Sequence, residues 1–427
     1  MANIQIKEKL SPEATLLQMA ADARYDVADS RDTDTLCIPD LSALDGIKAP
    51  APPPKVPKLF VAGHCVFNCA YCGCRNSNGD SHCYVHEPQE LARLAVQTAR
   101  ENGHGVFISS AIYRNADYTE ELIIETIKHM RQYLGYTGYI HAKVMPGTDP
   151  SLIEQAGRYA DRLSVNIEVA RSEGYSRIAK QKNKSNILTP MQQISDLIYA
   201  ARQEKGRSGK RFAISQTTQL MAGSTDEDDR TIMVLSKALY RKYRLKRVYY
   251  SPFHIRHQAE GYDPLPPVST PQWRTRRLYQ ADRLLQLYGF SPDDITPEED
   301  PNLSFDLDPK AAWAIRNMQL FPVEVNTADY DTLLRVPGIG VVYAKKILEA
   351  RRYCTITHTV LEKLRIPLKR CLYFIQCDGK YLGGTLFSRP DLLRQRLAVD
   401  EAGGQQAYEQ MKIAYGQGNA WGPEKAS

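Results

Sequence analysis

The sequence predicts an α/β fold: a partial (β/α)6 barrel of the TIM type, followed by a small C-terminal all-α domain. Three observations lead there. Between Lys58 and about residue 290, six short β-rich runs alternate with six amphipathic helical stretches, the succession expected of a parallel sheet or barrel. Residues 320–378 read as helices on both sides of a tight turn, Pro337-Gly338-Ile339-Gly340. A length of 427 residues, 43% hydrophobic and 24% charged, allows two or three globular domains with one large core.

The first residues, Met-Ala-Asn-Ile-Gln-Ile-Lys, contain no apolar signal region, and no run of about 18 apolar residues offers a membrane span. Nine cysteines in so long a chain suit metal chemistry in a reducing compartment rather than a disulfide framework, so the expected location is the cytoplasm. The net charge of +6 is mild, but it is unevenly placed. Residues 331–371 hold nine Lys and Arg against three Asp and Glu, while 291–309 hold seven acidic residues and no basic one. A basic module behind an acidic connector implies an anionic partner.

Residues 1–57 are expected to form a helix, roughly Pro12–Ala28, then a loop and a proline-rich extended connector at 49–57. The domain 58–290 follows, with strands at Leu59–Ala62, Gly105–Ser109, Gly138–Val144, Arg162–Ile167, Arg211–Gln216 and Arg247–Ser251. Helices are expected near 88–101, 117–134, 150–160, 190–204, 226–243 and 271–288. In such a barrel the site lies on the loops at the C-terminal ends of the strands.

The loop after the first strand holds Cys65, Cys69 and Cys72 at C-x3-C-x2-C spacing. Thiolates are soft ligands for iron–sulfur clusters or zinc. Three cysteines leave one position of a cubane cluster open; a structural zinc would instead need a fourth ligand, for which Cys74, His64, Cys83 and His82 are at hand. The second strand ends in small residues, Ser109 and Ser110. The third carries His141 and Lys143 on one face, as substrate contacts or as an internal hydrogen bond. The fourth presents Ser164, Asn166 and Glu168 together, and a polar face inside a barrel must be bonded or functional. After the fifth, Gln216 and Gln219 are candidates to face a ligand, and Gly223-Ser-Thr-Asp reads as a turn and helix cap. The sixth ends in Tyr249-Tyr250-Ser251-Pro252-Phe253-His254, aromatics for stacking or for the core. Two basic clusters, Arg202–Arg211 and Arg241–Arg247, fall at the opposite ends of the strands and read as solvated surface.

An acidic connector and helix at 291–319 lead to the module at 320–378. There Asn326 is expected to cap a short helix containing Leu333 and Leu334, and a second helix places Ala344 and Ile347 inward. Glycines let a backbone approach a phosphate, and the amides at the start of the second helix can receive its oxygens. Gly338, Ile339, Gly340, Lys345 and Lys346 are the resulting DNA-contact candidates. Residues Val360–Lys369 echo the motif without its glycines. Cys354, Cys371 and Cys377 follow no ligand spacing and read as buried or idle thiols, with an auxiliary cluster as the alternative. The tail 379–427 is expected to be loosely ordered from Asp400.

The cysteine loop, with Tyr71 as its aromatic, resembles the signature of the radical S-adenosylmethionine (SAM) superfamily, and the C-terminal segment resembles a helix-hairpin-helix module. With Gly138–Lys143, Leu245–Ser251 and Phe321–Asn326, the chain is similar over most of 12–378 to a bacterial family described as DNA modification or repair radical SAM proteins. The resemblance implies a [4Fe-4S] cluster on Cys65, Cys69 and Cys72. It implies SAM held near Tyr71, Ser109, Ser110, Asn166 and Glu168, with Gln216 beside them. It also implies an electron donor of the flavodoxin or ferredoxin kind, DNA as the partner, and association with a uracil-DNA-glycosylase-like protein. Two other readings stay open: a DNA-binding protein with structural zinc, and a radical enzyme acting on RNA.

Overall fold

The computed structural model describes residues 56–78, 84–103, 105–204, 211–254, 262, 269–385 and 389–398. The expected N-terminal helix, most of the proline-rich connector, His82, Cys83 and the tail beyond residue 398 lie outside them. The chain divides into two compact units: among the described residues, one holds 56–225 with 239–262, the other 226–238 with 269–398.

The first unit is built on strands β1 (Lys58–Phe60), β2 (Val106–Ser109), β3 (Ile140–Lys143), β4 (Arg162–Ser164), β5 (Ser215–Ala222) and β6 (Arg247–Pro252). They form one six-stranded sheet in sequential order. Every neighbouring pair is parallel. That order follows from helical crossovers: α1 (Pro88–Asn102), α2 (Ala116–Gln132), α3 (Pro150–Tyr159), α4 (Glu173–Ile178), α5 (Lys184–Gln203) and α6 (Asp229–Tyr243). The division between the units falls within α6.

Local chemistry starts and stops these helices. Pro88 opens α1, and Gly103 ends it in the left-handed region at φ 72°. The Asn115 and Asp149 side chains cap α2 and α3, and Asn183 and Asn186 form a reciprocal capping box on α5. Gly105, at φ 92°, lies where an added Cβ would come within 2.5 Å of the Tyr139 carbonyl, so only glycine lets the chain enter β2 there. Val106, Phe107, Ile108, Ile140, Ala142 and Leu163 are fully buried along the strands. Each large one contributes about 1.5–3 kcal/mol of burial.

The fifth strand runs Ser215–Ala222, not Arg211–Gln216 as expected. Its polar letters, Ser-Gln-Thr-Thr-Gln, read as a loop because strands buried on both faces are normally apolar. Here Thr218 and the Gln216 amide group are bonded internally. Thr218 Oγ1 donates to Val165 O at 2.7 Å and accepts from Ile167 N at 2.9 Å.

The second unit contains α7 (Gln272–Leu287), α8 (Pro292–Ile295), α9 (Pro309–Arg316), a 3-10 turn (Met318–Leu320), β7 (Val323–Glu324), α10 (Tyr330–Arg335), α11 (Val341–Ala350), α12 (His358–Lys363), α13 (Leu368–Cys371), β8 (Ile375–Cys377), β9 (Lys380–Tyr381) and α14 (Pro390–Leu397). It is not all-α. β8 pairs parallel with β7 and antiparallel with β9, strands of two or three residues that are too short to show a period in sequence. Asn326 does not cap α10. Its side chain pairs with both backbone groups of Ile356, and Asp329 takes the cap by accepting from Thr332 N at 2.7 Å. Phe290, Trp313, Phe321 and Phe374 pack edge to face, and Arg274 is buried in an ion pair with Asp229 at 2.8 Å. Ahead of the stretch expected to be loosely ordered, which lies outside the described residues, α14 is held by Arg394 pairing with Asp306. No described helix is long and apolar enough to cross a membrane.

Candidate functional site

The cysteine loop leaves the C-terminal end of β1 and is fastened on several sides by its own backbone. Val61 N donates to Ser109 O, Ala111 N to Ala62 O, and Val66 N to Ile112 O, which tie it to the end of β2. Cys65 N donates to Cys74 O at 2.8 Å, and Ala70 N to Ile178 O at 2.8 Å. Ser110 adds a side-chain clasp, its Oγ accepting from Ala62 N at 3.1 Å.

Cys65 and Cys69 are buried and Cys72 is half-buried. Backbone amides of Phe67 and Ile112 point at Cys65 Sγ from 3.3 and 3.4 Å. Burial pushes the Cys65 thiol up to about 11 and Cys69 up to about 12, whereas a hydrogen bond from the neighbouring Cys74 brings Cys72 down to about 7. Buried thiols of this kind need a cation to become thiolates, which a bound metal supplies. Among the described residues no three His, Cys, Asp or Glu side chains converge to hold a single metal ion. A cluster asks for something else: each ligand sulfur on its own iron, all from one wall of a pocket.

Such a pocket is present. A cleft with about 1100 Å³ of space, part of it open to solvent, is lined by Cys65, Cys69 and Cys72. Tyr71, Ser109, Ser110, Asn166 and Glu168 all line it, so five sequence candidates from three separate segments meet the cysteines there. Asn166 Oδ1 and Glu168 Oε2 are buried with no hydrogen-bond partner. Two orphaned acceptors on residues lining one pocket are what a ligand carrying N–H or O–H donors would satisfy. The loop thiols and these acceptors therefore fit a cluster with an adjacent polar ligand.

Glu168 also sits in the left-handed region, at φ 62°, a conformation that a glutamate adopts only under constraint. Its backbone supplies the constraint: Glu168 N donates to Gln219 O at 3.0 Å and Met221 N to Glu168 O at 2.8 Å. Glu168 Oε1 accepts from Lys182 Nζ at 2.8 Å, and Lys182 donates also to Tyr71 OH at 3.0 Å. Burial opposes the Lys182 ammonium, but Glu168 and the neighbouring cysteines outweigh it and hold the lysine charged. Burial, then the Glu168 carboxylate, lifts the Tyr71 phenol well above its usual range. Sequence reasoning missed Lys182. It lies between α4 and α5 in Lys180-Gln-Lys-Asn-Lys184, where a basic turn reads as solvated surface.

Other candidates fall elsewhere. Gln216 lies at the opposite end of β5, its amide donating to Met191 O at 3.1 Å and Tyr243 O at 2.7 Å; the misplaced strand accounts for the error, and Gln219 lines the pocket instead. His141 is buried at 2.8 Å from Ser164 Oγ and stacks on Phe107, outside the lining, while Lys143 reaches it. Tyr249 and Tyr250 belong to the core, whereas Phe253 and His254 reach the pocket.

In the second unit Pro337, Gly338, Ile339 and Gly340 are all buried, and Lys310 Nζ donates to Ile339 O. An added Cβ at Gly338 would come within 3.0 Å of Arg370 Cβ. The glycine turn is thus packed against the segment that echoes it, and its backbone is not laid open for a phosphate as expected. Lys345 and Lys346 are exposed on α11. Cys371 and Cys377 are buried, with burial pushing each up to about 12, and Cys354 is exposed.

No family model matches the chain, and no curated protein does. Among solved structures it is similar to the FeFe-hydrogenase maturase HydG from Carboxydothermus hydrogenoformans, at 14% identity and TM-score 0.42 over 65% of this chain and 60% of that one. It is also similar to methylornithine synthase (PylB), at 12% identity and TM-score 0.40 over 53% of this chain and 60% of that one. The matched part spans about 60% of the length of either structure. Likeness at that level is distant, and the functional reading rests on the site itself.

Proposed function

We propose that this chain is a radical SAM enzyme acting on a nucleotide in DNA. The observation that carries the enzyme reading is the pocket at the strand ends, lined both by the three loop thiols and by Asn166 and Glu168, whose Oδ1 and Oε2 are orphaned acceptors. Cys65, Cys69 and Cys72 would hold a [4Fe-4S] cluster. When bound, the cluster and SAM supply reductive cleavage of the sulfonium to methionine and a 5′-deoxyadenosyl radical, with the electron coming from a flavodoxin- or ferredoxin-type donor.

The chain's own residues bind and orient. Asn166 and Glu168 offer acceptors for the ribose hydroxyls or amino group of SAM. Lys182 neutralises Glu168 and steadies Tyr71. Phe253 and Met221 give the pocket an apolar wall that limits water near a reactive species.

DNA as the substrate is supported by the helix-turn-helix succession α10–turn–α11, by its resemblance to helix-hairpin-helix modules, and by the excess of basic residues in 331–371. With the glycine turn packed inside, phosphate contact would run through Lys345, Lys346 and the exposed start of α11 at Val342. A base must leave its stack to enter the pocket.

The test is anaerobic reconstitution with iron and sulfide, then dithionite and SAM, with and without duplex DNA. 5′-Deoxyadenosine is the expected product. A protein that binds zinc in the loop and leaves SAM intact would end the enzyme reading; turnover stimulated by tRNA and not by DNA would end the choice of substrate.

A further inference from the structure

We propose that Lys182 is a positioning residue that sets the reduction potential of the cluster, with Glu168 as its counterweight. The inference rests on the enzyme reading above and concerns residues that the cysteine motif does not contain.

Lys182 is 11% exposed and Glu168 4%, so their pair is sheltered from solvent. The ammonium donates at once to Glu168 Oε1, on the rim beyond β4, and to the hydroxyl of Tyr71, which lies between Cys69 and Cys72. It also lies 5.7 Å from the Tyr71 ring centroid. Lys182 therefore lines the same pocket as all three thiols and is bonded to the loop that carries them. Arg75, a buried cation within the cysteine loop itself, donates to Cys72 O at 3.1 Å.

Adding one electron from an external donor makes the cluster and its thiolates one charge more negative. A fixed cation in a low-dielectric site favours that reduced form over the oxidised one, and a fixed carboxylate disfavours it. Lys182 and Glu168 thus act on the same equilibrium with opposite signs. Because Glu168 also offers its second oxygen to the ligand, whatever binds there shifts the balance felt by the cluster.

The experiment is an anaerobic redox titration of the reconstituted full-length protein, followed by electron paramagnetic resonance in the absence of SAM. Lys182→Met should lower the midpoint potential. Glu168→Gln, which leaves the cation unopposed, should raise it. Lys182→Arg should stay near wild type, and Lys182→Met combined with Glu168→Gln should fall between the two single variants. A merely structural role would not give shifts of opposite sign. Fully loaded Lys182→Met and Glu168→Gln proteins whose midpoints coincide with wild type overturn the inference and leave the enzyme reading standing. If Lys182→Met fails to load, the Glu168→Gln titration decides: a raised midpoint supports the inference and an unchanged one overturns it. A wild-type chain that takes up no cluster overturns the enzyme reading and this inference together.

Discussion

Asn166 pairs burial with a missing partner. It is 6% exposed and its Oδ1 accepts nothing. An unsatisfied buried acceptor costs about 1–3 kcal/mol, so a side chain held there for stability alone would be a poor choice. Asn166→Ala should leave the melting temperature within a few degrees of wild type while weakening SAM binding by about tenfold, the loss of about one hydrogen bond. Equilibrium dialysis beside differential scanning fluorimetry checks both halves; a large drop in melting temperature with unchanged affinity would contradict the assignment. Glu120 makes a different prediction. It is fully buried, one oxygen accepts from Met145 N at 3.0 Å, and burial raises its carboxyl from 4.5 to about 8. The folded chain therefore holds a proton that the unfolded chain has lost, so stability is full below about pH 4.5 and is lost as pH rises through about 8. Glu120→Gln should flatten that decline in melting temperature between pH 5 and 9, on the order of a few kcal/mol. At this scale sequence reasoning reached Asn166 and Glu168 through alternation along one strand. It could not reach Lys182, since no period marks a residue whose role comes from two distant partners.

Elements were legible where apolar pattern and caps agreed. The strands before the cysteines and serines, and helices α1 to α3, lie close to their expected limits because proline, asparagine, aspartate and glycine punctuate them. β5 was misjudged because hydrogen bonds invisible to a hydropathy pattern hold Thr218 and the Gln216 amide group in the core. The cap of α5 carries a testable consequence. Asn183 Oδ1 accepts from Asn186 N at 2.9 Å, and Lys182 is the residue immediately before that cap. Asn183→Ala should cost about 1 kcal/mol. It should also loosen Lys182, seen as faster amide hydrogen exchange around 180–184 than in a control cap variant such as Asn115→Ala. Gly338 belongs here as well. At φ 84° and against Arg370, Gly338→Val should destabilise the second unit, so weaker DNA binding by that variant would report unfolding as much as lost contact.

For the whole chain, the succession of six strands and their crossovers was readable from the sequence, and the six-stranded parallel sheet follows it in order. The division into units was less so, because α7 reads as a last barrel helix yet belongs with the second unit. Nucleic-acid binding is a property of charge distribution and is best tested at this level. Changing Lys345 and Lys346 together to alanine should reduce the slope of log affinity against log salt by close to two for duplex DNA, since each phosphate contact contributes about 0.9. Fluorescence anisotropy across a salt series measures it, and an unchanged slope would remove α11 from the interface.

The bonds from Cys65 N to Cys74 O and from Ala70 N to Ile178 O fasten the cysteine loop through main-chain groups and use none of its thiols. A zinc finger collapses when its metal is withdrawn, because the metal is what folds it. This clasp is knitted from main chain and should outlast the inorganic core, so protein stripped by a chelator ought to keep its shape and accept fresh iron and sulfide without refolding. Slow exchange at the amides of Cys65 and Ala70 in the stripped chain would be the sign of it.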